Sequence, residues 1–148
     1  MQYLVMCIGN REGGDDSIGP YIADKLGSEN LENIKVIDAG TVPENYTSVV
    51  KRENPKILLI IDAVEMGLEP GKIRIVPKKK IGVMTISTHG IPISVLIGYL
   101  EKYVKDIIFI GIQPKEMSGE LTSVVKESGD MLVKILKERK LKTIKILN

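Results

Sequence analysis

Ile57, Leu58, Leu59, Ile60 and Ile61 form a run of five consecutive Ile or Leu residues that ends directly on Asp62. No polar residue interrupts it, so both sides of the segment must be covered by apolar neighbours. A segment this short, rich in β-branched residues and preceded by Asn54-Pro55, reads as a central strand and not as a helix. Strands buried on both faces belong to parallel sheets sandwiched between helices. The rest of the chain agrees. Residues 3–8, 34–38 and 107–112 give further apolar strands. Residues 18–26, 44–53, 93–103 and 121–140 carry apolar side chains at helical spacing. This alternation predicts a single α/β domain over residues 1–148. It is a three-layer sandwich whose twisted sheet has about five strands, with helices on both faces. Residues 73–76 form the exception. The connection from the 57–61 strand holds Gly67, Pro70 and Gly71 but no helix, which is too short for a parallel crossover, so this strand should run antiparallel. By doubly wound logic, the 34–38 strand flanks the first strand and the 57–61 strand lies on its other side. The tail 143–147 alternates like an edge strand, and fraying is the alternative.

Composition narrows the function. The net charge is +2, aromatic residues make up 4% of the chain, and Trp is absent, a poor basis for binding nucleic acid. The single cysteine, Cys7, excludes an intramolecular disulfide and a Cys-rich zinc site, and its place inside the first strand suggests inert core. No apolar run approaches the ~20 residues of a membrane span, and the N-terminus lacks the features of a signal peptide. A cytoplasmic monomer with no membrane partner is therefore expected. The basic residues Lys78–Lys80 and those of 134–145 read as solvated surface.

Polar residues collect where the strands end. In open parallel sheets ligands bind beyond the carboxyl ends of the strands. Asn10, Asp15 and Asp16 occupy the loop after the first strand, Asp38 ends the second, and Asp62 ends the third. His89, the only histidine, precedes the helix at 93–103. Asp15 or Asp16 could instead cap the following helix, and Asp38-Ala39-Gly40-Thr41 could be a plain turn. The loop Gly9-Asn10-Arg11-Glu12-Gly13-Gly14-Asp15-Asp16 has neither Walker nor dinucleotide spacing, and its carboxylates would repel phosphate. Two carboxylates and one imidazole from separate loops make an oxygen, oxygen, nitrogen donor set with open positions, suited to a divalent ion. No Ser–His–Asp or Cys–His arrangement is present. Chemistry at such a site would use either polarisation by a bound metal or a carboxylate base, and the sequence leaves both open.

Taken together, several blocks resemble the hydrogenase maturation endopeptidases. They are L-V-M-C-I-G-N-R-E-G-G-D-D-S-I-G-P at 4–20, I-D-A-G-T-V-P-E-N at 37–45, L-I-I-D-A-V-E-M-G-L-E-P-G at 59–71, S-T-H-G-I-P at 87–92 and I-G-I-Q-P at 110–114. One departure is Ser17, where the family usually has Gly. The resemblance implies an endopeptidase that removes the C-terminal extension from the large-subunit precursor of a nickel–iron hydrogenase. The substrate's nickel would serve as the recognition element; other divalent ions could occupy the same site. Asp16, Asp62 and His89 would be the metal-contacting and catalytic residues. Asn10, Asp15, Asp38, Gly40 and Thr88 would support them or touch substrate. Two other functions compete with this one. A nucleotide-binding domain would need the phosphate loop that is absent. A non-proteolytic nickel-binding assembly factor would use the same ligands and differs only in cutting nothing.

Overall fold

The computed structural model describes residues 3–84, 87, 88 and 90–148. Strands β1 (Tyr3–Ile8), β2 (Ile34–Gly40), β3 (Ile57–Ala63), β4 (Ile73–Val76) and β7 (Asp106–Ile112) form one sheet in the order β2-β1-β3-β7-β4. The pairs β1–β2, β1–β3 and β3–β7 are parallel, and β4 runs antiparallel to β7. The short segments β5 (Ser87–Thr88) and β6 (Ile91–Pro92) pair separately as a small antiparallel ribbon. The expected order around β1 and the reversal of β4 are both present.

Alternation of side chains divides the core into two layers. Val5, Cys7, Leu59, Ile61, Ile110 and Ile112 face one side, against α1 (Ile18–Ser28) and α5 (Ser123–Lys137). Leu4, Met6, Ile8, Leu58, Ile60 and Phe109 face the other, against α2 (Thr47–Glu53), α3 (Lys78–Val83) and α4 (Ile93–Leu100). The Ile/Leu run of β3 is uninterrupted because each of its faces meets a helical layer. Cys7 is fully buried within β1, as an inert core residue should be.

Several local expectations are corrected. Helix α1 continues through Gly27 to Ser28. The 44–53 segment is divided into a 3-10 turn, Pro43–Tyr46, and α2. Helix α4 ends at Leu100 and α5 spans Ser123–Lys137, each shorter than the expected 93–103 and 121–140. Met131, one of the apolar residues in the 121–140 segment, is 54% exposed. Lys78 and Lys79 are exposed, as expected, but the segment also begins a helix, α3, anchored by the buried Ile81, and Lys78 pairs with Glu101 at 2.9 Å. The C-terminal tail adds one bridge, Ile146 parallel to Ile75, at the open edge of β4. Among the described residues no helix is long and apolar enough to cross a membrane.

Candidate active site

The parallel strands β1, β2 and β3 deliver their carboxyl ends to the same edge of the sheet. Beyond β1 the chain folds back sharply. Gly9 has φ +156°, and a Cβ there would lie 2.0 Å from the carbonyl oxygen of Asp16. The loop then forms a 3-10 turn, Gly14–Ser17, that packs against β3. Gly14 has φ +62° and fits against the backbone of Glu116 and Ser118, where a Cβ would come within 2.6 Å of main-chain atoms. Ser17 has φ −79° and its hydroxyl donates to the Gly14 carbonyl at 2.6 Å. The position therefore does not require glycine, and the departure noted in the sequence leaves the loop intact.

The adjacent acids of the turn have different tasks. Asp15 is fully buried. Its carboxylate accepts hydrogen bonds from the Lys115, Glu116 and Thr122 N–H groups at 2.8, 2.9 and 2.8 Å, and from the Thr122 hydroxyl. Burial raises its pKa, but these donors together outweigh burial and hold it below the usual carboxylate value. Asp15 thus ties the glycine-rich loop to the segment leading into α5. It does not cap α1, and neither does Asp16: no side-chain cap is made at that helix. Asp16 accepts a hydrogen bond from the Asn10 N–H at 3.1 Å, and the Asn10 side chain accepts one from the Glu12 N–H at 2.9 Å.

Asp62, near the end of β3, is 4% exposed. Its Oδ1 is buried with no hydrogen-bond partner among the described residues. Burial pushes its pKa well above the ordinary carboxylate value, and the Asp16 charge pushes the same way against the Ala63 N–H. The Gly14–Ser17 turn that carries Asp16 packs against β3, near enough for the Asp16 charge to act on Asp62. His89 lies outside the described residues. Thr88 has its backbone paired with Ile91 in the small ribbon. Among the described residues no three His, Cys, Asp or Glu side chains converge into a metal-holding group.

Asp38 and Gly40 lie to the side, in β2 itself. Asp38 accepts from Arg11 at 2.6 Å, and Arg11 also grips Asp24 at 2.9 Å, which raises the guanidinium pKa. Gly40 has φ +56°, and its carbonyl accepts from the Gly9 N–H at 2.9 Å where the β1–β2 register shifts. Gly9, Asn10, Arg11, Asp38, Gly40 and Tyr46 help to line a cleft of about 320 Å³.

Sequence reasoning gave Gln113 no role. It is 3% exposed, and its Oε1 accepts from the Met66 and Leu68 N–H groups at 2.7 and 3.2 Å. Its Nε2 donates to Glu65 at 2.9 Å. Gln113 thereby holds the loop that follows Asp62 against the end of β7. An amide placed directly after a buried apolar strand was the available signal.

Residues 20–139 match the family model described as hydrogenase maturation protease. The chain belongs to that family. It is 41% identical over 115 residues to the hydrogenase 3 maturation protease of Escherichia coli K12, covering 77% of this chain and 74% of that protein. A crystal structure of a hydrogenase 3 maturation protease superposes with TM-score 0.93 at 33% identity, covering 100% of this chain and 97% of the other. The HycI endopeptidase of Escherichia coli, solved in solution, gives 0.91 at 34% identity with the same coverage. The HycI protease of Thermococcus kodakarensis KOD1 gives 0.82 at 28% identity, over 93% of this chain and 90% of that one. The sandwich with its reversed β4 is therefore the fold of this protease family.

Proposed function

We propose that this protein is an endopeptidase that removes the C-terminal extension from the nickel-loaded large-subunit precursor of a nickel–iron hydrogenase. Asp16, Asp62 and His89 meet the nickel that the precursor carries. The observation that carries this reading is the unpartnered, buried Oδ1 of Asp62 beside the Asp16 carboxylate. The Asp62 carboxylate is costly to keep charged, because burial and the Asp16 charge both disfavour its ionised form. A divalent ion brought by the substrate reverses that cost, so the site favours a loaded precursor over an empty one.

The chain's own groups then have definite work. Hydrolysis adds water to the scissile carbonyl, breaks the carbon–nitrogen bond and transfers a proton to the departing amine. Asp16 and Asp62 are the groups placed to take the proton from water and return it to nitrogen. Cys7 is excluded as a nucleophile, being fully buried in β1 with its thiol pKa pushed up, first by burial and then by Asp38 and Asp24. The cleft beside Asn10 and Asp38 receives the precursor chain next to the cut, and the loop steadied by Gln113 borders Asp62 on the other side.

The test is incubation with a nickel-loaded precursor and detection of the shortened subunit by mass spectrometry. Wild-type protein should shorten it, and Asp62→Asn should not. A precursor left at full length by the wild-type protein, or cut at the normal rate by Asp62→Asn, would overturn the reading.

A further inference from the structure

Among the described residues, Glu44 Oε1 and Asp62 Oδ1 are the buried side-chain atoms that lack a hydrogen-bond partner, and both are carboxylate oxygens. Asp62 is absorbed by the function proposed above. Glu44 is not. It sits on the Pro43–Tyr46 turn immediately after β2, where buried Pro43 fixes the chain. Its other oxygen, Oε2, lies 3.8 Å from the place where a Cβ would stand on Gly90. Gly90 belongs to the turn between β5 and β6, and it is exposed. The Glu44 carboxylate thus abuts the turn that follows Thr88, and the residue it faces there carries no side chain.

Other acids in this protein show what a carboxylate used for structure looks like. Asp15 has several donors, Glu65 takes the Gly67 N–H and the Gln113 amide, and Asp38 takes Arg11. Lys35 pairs with Glu53 at 2.9 Å. A buried acceptor without a donor lowers the stability of the free protein, so its presence calls for a role outside folding. From this we infer that Glu44 is a substrate-positioning residue: its buried Oε1 accepts a hydrogen bond from an N–H donor of the precursor as the precursor settles against the Gly90 turn. The inference rests on the proposed processing function and names a further contact to the same substrate. The donor is a main-chain amide or a cationic side chain, and one pair of substitutions distinguishes these sources.

The experiment measures three quantities for wild type, Glu44→Ala and Glu44→Gln: thermal midpoint, Kd for a nickel-loaded precursor, and the kinetics of shortening. Glu44→Ala should keep or raise the thermal midpoint, because it removes an unsatisfied acceptor. It should weaken Kd and raise KM about ten- to a hundredfold, the size of one hydrogen bond to a charged group, with a smaller change in kcat. Glu44→Gln keeps an acceptor without the charge. It should recover much of the affinity if the donor is a main-chain amide and little if the donor is a cation. A lowered thermal midpoint together with unchanged Kd would show a purely structural role and overturn the inference. So would unchanged Kd and KM at normal stability. Wild-type protein that binds the precursor without cutting it would overturn the proteolytic reading alone, since the Glu44 effect on Kd is still measured. Failure to bind at all would overturn both.

Discussion

Replacing Asp62 by Asn should stabilise the free protein while destroying its activity. In the folded state the carboxylate is buried, its Oδ1 has no donor among the described residues, and Asp16 adds like charge. An unsatisfied buried polar group costs about 1–3 kcal/mol, and more when charged. Asn keeps the shape, removes the charge and offers an amide that can donate toward Asp16. In a domain of this length the gain corresponds to a rise in Tm of about 2–12 °C. The pH dependence fixes its origin. The folded pKa is raised, so at a pH below the ordinary carboxylate value both folded and unfolded forms are protonated and the wild-type protein carries no penalty. As pH rises, the unfolded chain ionises first, and the folded state loses relative stability until its own pKa is passed. The Tm difference between Asp62→Asn and wild type should therefore be smallest near pH 4 and grow toward neutral pH. Calorimetry across that range measures it. A Tm lowered by Asp62→Asn at neutral pH, or a difference that shrinks as pH rises, would refute the claim that this carboxylate is held at the expense of stability.

Asp15→Ala should act in the opposite direction, leaving the Lys115, Glu116 and Thr122 N–H donors without their acceptor and costing about 3–5 kcal/mol in urea denaturation. Because the Asp15 pKa is lowered in the folded state, its stabilisation is complete above the ordinary carboxylate pKa and disappears as pH falls through the lowered value; wild type and Asp15→Ala should converge in strong acid. Gly14→Ala forces a side chain into a left-handed backbone against the Ser118 main chain, and a loss of at least about 2 kcal/mol is expected in the same assay.

The sheet was legible because burial on two faces leaves a sequence signature. The Ile57–Ala63 strand has nowhere else to go, and the short glycine- and proline-bearing connection after it forces β4 to reverse. Asp62 was legible for the same reason, as the first acid after an apolar run. Asp15 was harder to read, since the amides it serves lie at 115, 116 and 122, far along the chain, and only the closed fold brings them near. Local chemistry also allowed a helix cap, and tertiary contacts decided against it. Helix α3 was missed because Lys78–Val83 buries one residue, Ile81, which is too little to create a period. Gln113 and Glu44 were passed over because an amide and a carboxylate gain meaning only from the groups that surround them, or fail to.

The most direct test of the account compares one precursor in nickel-loaded and metal-free forms. Each is incubated with wild-type protein, and the released C-terminal peptide is quantified by mass spectrometry. If paired carboxylates at Asp16 and Asp62 require a substrate-borne cation, the peptide should appear from the loaded precursor and be absent from the metal-free one. Equal release from both would contradict the account, as would release from neither.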